Sequence, residues 1–167
     1  GEWGHGSYTY MNGWSMASSR YTTVRAMGSY DGNICYCIEP GVPQESGDRF
    51  TKKGENFWDN YPSSYNHTIS PDDIQLFIGR IFQYGYTGTI STSWRSQNEG
   101  GDKLAHAVAT QLLVWETVVG ERDADFNKVG TGGKDAICDQ ISTNHPLYSR
   151  IMSYYNSIAA SVQTHSK

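Results

Sequence analysis

The chain has 167 residues and a formal charge of −4, with acidic and basic residues interspersed. That length supports one domain with its own core. There is no basic stripe for nucleic acid, no lysine-rich amphipathic helix for a membrane surface, and no apolar run long enough to span a bilayer. Abundant Tyr (12), Gly (18) and Trp (5) favour a β-containing domain rich in turns, of a kind common outside cells. No signal peptide is evident, which by itself assigns no compartment.

Residues 1–20 are rich in Gly, Ser and aromatics without clear period, so they read as irregular apart from one short strand around Ser7–Met11. Tyr21–Met27 is a strand by composition. Asp31-Gly32 is a hairpin turn signal, and Asn33–Ile38 is the second strand, stopped by Glu39-Pro40-Gly41. Period two puts Ile34, Tyr36 and Ile38 on one face and Cys35 and Cys37 on the other. Residues 41–69 read as a long surface loop; Asn66-His67-Thr68 matches a glycosylation sequon, a short pattern frequent by chance.

Ser70-Pro71-Asp72-Asp73 is a helix start: Ser caps, Pro takes the first turn, and the acids suit the helix dipole. Ile74, Phe77, Ile78, Ile81 and Phe82 form its expected buried face, and it ends near Tyr84-Gly85. Residues 86–101 are expected as a loop carrying Trp94. A second helix is expected from Asp102, as cap, to Val119, with Gly120 as its stop. Its apolar stripe is Leu104, Val108, Leu112, Trp115 and Val119. Gln111 shares that face, where a primary amide must find partners or cost about 1–3 kcal/mol. Residues 120–133 form a connection, and Lys134–Ile141 a short helical turn holding Cys138. Asn144-His145-Pro146 opens a third helix running to about Val162, with Leu147, Ile151, Tyr154, Tyr155 and Ile158 buried.

Strands followed by helices argue for a single α+β domain over 1–167. The expected architecture is an antiparallel β-sheet or sandwich core, its strands mainly in 1–41, with a segregated helical part of about three helices over about 70–163.

Three cysteines leave at least one without an internal disulfide partner. Cys35 and Cys37 disfavour a mutual disulfide, because extended residues two apart sit about 6.6 Å apart with parallel side chains. Either could pair with Cys138, and spacing does not rank the two. A zinc site needs four ligands at wider spacings, and the scattered His residues 5, 67, 106, 145 and 165 supply no second close pair, so no metal or cofactor is expected. A Cys/His hydrolase or transferase is a competing reading, with His106 or His145 as base, although no short cysteine-protease signature occurs. A non-covalent carbohydrate-binding module is the third reading, suggested by surface Trp and Tyr.

Tyr36-Cys37-Ile38 on a strand, followed downstream by Thr110-Gln111-Leu-Leu-Val-Trp115 on a helix, resembles the thioester domains of Gram-positive bacterial surface adhesins. Glu39-Pro40-Gly41, Tyr84-Gly85-Tyr86 and His145-Pro146 look like further family features, so the resemblance runs from about Tyr21 to Val162. Leu113 stands where the family usually has Ala, and Cys35 and Cys138 are additional. The resemblance also implies further strands after the third helix. It implies an internal thioester between Cys37 and Gln111, formed with loss of ammonia, with Tyr36, Thr110, Trp115 and His106 in supporting positions. Tyr36 and Trp115 would shield the bond from water, and His106 would favour the thiolate. The implied activity is single-use covalent capture of an amine, such as a lysine on a host-surface protein, as an amide through Gln111. The implied setting is extracellular, on a bacterial cell wall, with no nucleic acid, no membrane insertion of this domain, and a monomeric state.

Overall fold

The computed structural model describes residues 33–38, 69–90, 97–130 and 136–165, together with strand backbone at 9–10, 12–15, 25–28 and 49–50. The expected turn at Asp31-Gly32, Trp94, the sequon at 66–68 and most of the expected 41–69 loop lie outside the described residues.

Among the described residues, three helices make the core. The first, α1 (Pro71–Tyr84), starts as the sequence predicts: Ser70 Oγ accepts the Asp73 N–H at 3.2 Å and Pro71 occupies the first turn. Ile74, Phe77, Ile78 and Ile81 are buried, but Phe82 is 36% exposed and packs from outside against Tyr36. The second, α2 (Gln97–Val119), is two helical stretches joined across a kink at Gly101 (φ 28°, ψ −98°), and the longer one starts at Asp102 as expected. Only glycine takes such a conformation at low cost. Asp102 directly follows the kink, and its Oδ2 accepts the Tyr154 hydroxyl at 2.5 Å. The far end follows expectation: Gly120 has φ 88°, and Glu121 N–H returns to the Glu116 carbonyl at 2.9 Å.

The expected single stripe on α2 understates its burial. From Leu104 to Val118 every residue except the half-buried His106 is buried, including Thr110, Glu116 and Thr117. A helix buried all round is a central helix. Here α1 and α3 (Tyr148–His165) both pack on it, with α1 also packing on α3. Ile151, Tyr155, Ile158 and Val162 face inward from α3, which runs one turn past the expected end. His145 precedes it: its Nδ1 accepts the Leu147 N–H at 2.9 Å, and its carbonyl accepts that of Tyr148. Ahead of it, a 3-10 turn (Ile137–Gln140) occupies the expected helical turn.

The strands are short and antiparallel. β1 (Thr9–Tyr10) pairs with β5 (Arg49–Phe50), which falls inside the stretch expected to be loop. β2 (Asn12–Ser15), β3 (Arg25–Gly28) and β4 (Ile34–Cys35) form a second sheet in that order, with Met27 opposite Cys35 and Gly28 opposite Ile34. β2 is not expected from Asn-Gly-Trp-Ser, whose strand composition is weak; pairing with β3 holds it. Among the described residues the helical part has three helices, as expected, beside short antiparallel strands. Among the described residues the core is the helical cluster joined by Cys37, and no sandwich is present.

Candidate functional site

The chain just past β4 meets the middle of α2. The backbone N–H of Cys37 donates to Gln111 Oε1 at 2.8 Å, and Gln111 Nε2 donates to the Cys37 carbonyl at 2.7 Å. Gln111 is 2% exposed and Cys37 7%. One residue's backbone therefore satisfies both ends of a buried amide, as a neighbouring strand would. This pairing fixes the carboxamide beside the residue that carries the thiol, and it brings together two positions 74 apart in the chain.

The neighbours of this pair are tied by a second set of bonds. Thr110 Oγ1 donates to the His106 carbonyl at 2.7 Å and accepts the Tyr86 N–H at 3.0 Å. The chain leaving α1 is thus fastened to the turn of α2 that carries Gln111. Gly85 permits this approach: a Cβ there would lie 2.6 Å from both Thr110 Cγ2 and the Ile81 carbonyl oxygen. The Tyr36 hydroxyl donates to the Tyr86 carbonyl, and its ring stacks on Phe82 with centroids 5.5 Å apart. Burial pushes the Tyr36 pKa up, so the hydroxyl keeps the proton it donates.

His106 Nε2 lies 3.0 Å from the Tyr84 carbonyl. Its ring stacks on Tyr154 at 4.4 Å and meets the edge of Tyr86 at 6.0 Å. In these contacts it joins α1, α2 and α3 one turn before the Gln111 pair. Trp115 is 7% exposed, one turn after Gln111, and belongs to the same core cluster as Cys37. Cys35 is half-buried, with its thiol directed to the Asn33 carbonyl at 3.9 Å. No disulfide joins any two of the three cysteines.

A separate polar cluster lies at the far end of α2. Glu116, fully buried, accepts from Arg122 Nε and Nη2 at 3.0 and 2.9 Å and from the Tyr155 hydroxyl at 2.7 Å. Cys138 Sγ is 3.5 Å from Glu116 Oε2 and 3.6 Å from Lys128 Nζ. Burial, and then the Glu116 carboxylate, push the Cys138 thiol up, which keeps it protonated. Sequence reasoning did not single out this cluster. The available signal was Glu116 itself, an acid set among Leu112, Leu113, Val114, Val118 and Val119. Among the described residues no group of three or more His, Cys, Asp or Glu could hold a metal, and no helix is long and apolar enough to cross a membrane.

Comparison with curated proteins and with solved structures gave no match. A family model described as "TED: Thioester domain" matches residues 34–164, a span that runs from β4 through Cys37 and Gln111 to the last turn of α3. With most of its length covered by that match, the chain belongs to the thioester domain family.

Proposed function

We propose that this is an adhesin-type domain that joins Cys37 to Gln111 in an internal thioester and then uses that bond once, to capture an amine covalently. The observation that carries the reading is the two-point pairing of the Gln111 amide with the Cys37 backbone. Family membership supports a thioester in such a domain, and Cys37 with Gln111 is the buried Cys–Gln pair that can form it.

The chemistry follows from the groups. Sulfur attacks the Gln111 side-chain carbon, the C–S bond forms, and the C–N bond breaks. Ammonia departs with the thiol proton. An amide is inert to a thiol in water, but two groups held on rigid elements reach effective molarities of about 10⁵ M or more. The Cys37 N–H, already on Oε1, polarises the carbonyl and stays beside the oxygen as negative charge develops there. The Cys37 carbonyl, already holding an Nε2 hydrogen, orients the leaving nitrogen.

In the second step an amine attacks the same carbon, the C–S bond breaks, and its proton returns to sulfur. The product is an amide at Gln111 and a free Cys37 thiol. Nothing in this site regenerates the thioester, so the domain binds rather than turns over. A lysine on a host-surface protein is the expected ligand, and the outer face of a Gram-positive cell wall the expected location. Incubation with methylamine or a lysine-bearing protein should give a one-to-one adduct at Gln111 that survives boiling in detergent. The adduct should be absent with Cys37→Ala. Repeated turnover of an amide or ester substrate by the wild-type domain would overturn the reading in favour of a cysteine hydrolase.

A further inference from the structure

Among the described residues, one buried side-chain polar atom has no hydrogen-bond partner: Nε1 of Trp115. A buried indole N–H ordinarily finds an acceptor, and leaving it unmet carries the full desolvation penalty of the group. Elsewhere this core satisfies its polar atoms closely, as Thr110, Gln111 and Glu116 show. The exception lies one helical turn after Gln111. Helical side chains lean toward the N-terminus of their helix, so a residue at i+4 covers the turn of residue i. Trp115 therefore leans toward the turn that carries Gln111.

We propose that the Trp115 indole N–H is the second oxyanion donor of the Cys37–Gln111 site, a role that rests on the thioester reading above. In the amide state Gln111 Oε1 accepts the Cys37 N–H. When sulfur adds to the carbon, the C=O π pair moves onto that oxygen, which becomes a full oxyanion and takes further donors. Trp115 then gains the acceptor it lacks in the ground state. An interaction made only as charge develops lowers the barrier, whereas one already made in the ground state does not. The same oxygen becomes an oxyanion again when an amine attacks the finished thioester, so one donor serves both steps.

The test removes the N–H and keeps the ring. Trp115 is replaced by 3-benzothienylalanine, in which sulfur stands for the indole N–H, through stop-codon suppression; Trp115→Phe is made beside it. Intact mass gives the fraction that has lost ammonia, and time-resolved mass gives the rate of methylamine addition. The same substitutions in a Cys37→Ala background report folding alone, through their melting temperatures. The expected result is methylamine addition slower by about tenfold or more, or a lowered cyclised fraction, while the Cys37→Ala melting temperature is unchanged by the benzothienyl residue. A benzothienyl variant that cyclises fully and adds methylamine at the wild-type rate overturns this inference and leaves the thioester standing. A wild-type domain that has lost no ammonia overturns the thioester reading and this one together.

Discussion

Cys37→Ala and Gln111→Ala remove the same proposed bond but should not cost the same stability. Cys37→Ala keeps the backbone N–H and carbonyl that hold the uncyclised Gln111 amide, so this variant has both hydrogen bonds at 2.8 and 2.7 Å. What is lost is the crosslink. It closes a loop between positions 74 apart, and the chain-entropy expression for a loop of that size gives about 4 kcal/mol. The missing sulfur adds up to about 1 kcal/mol. Gln111→Ala loses the crosslink, opens a cavity in a side chain only 2% exposed, and takes both hydrogen bonds from Cys37. Each buried group deprived of its partner costs about 1–3 kcal/mol, so this variant should fall about 2 kcal/mol or more below Cys37→Ala. Urea unfolding of freshly purified protein reads both gaps. The wild type should also show a smaller m-value, because its crosslinked unfolded chain exposes less surface. Equal midpoints for wild type and Cys37→Ala would refute the loop-closure reasoning. Equal midpoints for the two variants would refute the structural weight given to the Gln111–Cys37 pairing.

Gly85→Ala would place a methyl 2.6 Å from Thr110 and from the Ile81 carbonyl, so it should destabilise the domain by about 1–3 kcal/mol in the Cys37→Ala background, and it should lower the cyclised fraction in the parent, read by intact mass. Arg122→Met leaves the buried Glu116 carboxylate without its main cation and should cost about 3–5 kcal/mol in urea unfolding. Burial, then the charge of Glu116, raise the Tyr155 hydroxyl well above its ordinary value of 10.0, so the folded domain keeps it neutral where the unfolded chain ionises it. Its contribution is therefore full below pH about 10 and lost as pH climbs beyond, and Tyr155→Phe should flatten the alkaline fall of stability.

The three helices were legible because each carries its own punctuation. Ser70-Pro71 opens α1, Gly120 closes α2, and apolar residues recur at helical spacing between them. The helical turn ahead of the Gly101 kink was not, because it depends on Gly101 adopting a conformation that spacing does not encode. Periodicity alone places Phe82 in the core; its place outside depends on Tyr36, 46 positions earlier, offering a ring to stack on. Cys37 and Gln111 were singled out from their motifs and from an amide on an apolar face, but their pairing through the Cys37 backbone is tertiary and left no mark in either motif. His106 shows the limit from the other side. Its proximity to Gln111 in sequence suggested a partner for the thiol, whereas its ring contacts Tyr84, Tyr86 and Tyr154.

The central claim is a covalent bond between the Cys37 sulfur and the Gln111 side-chain carbon, and intact mass of freshly purified protein tests it most directly. The domain should be lighter than its sequence by one ammonia, with peptide mapping placing the loss at Cys37 and Gln111, and Cys37→Ala should show the full sequence mass. Wild-type protein at full sequence mass, with a Cys37 thiol that alkylates after unfolding and an intact Gln111 amide, would contradict the account.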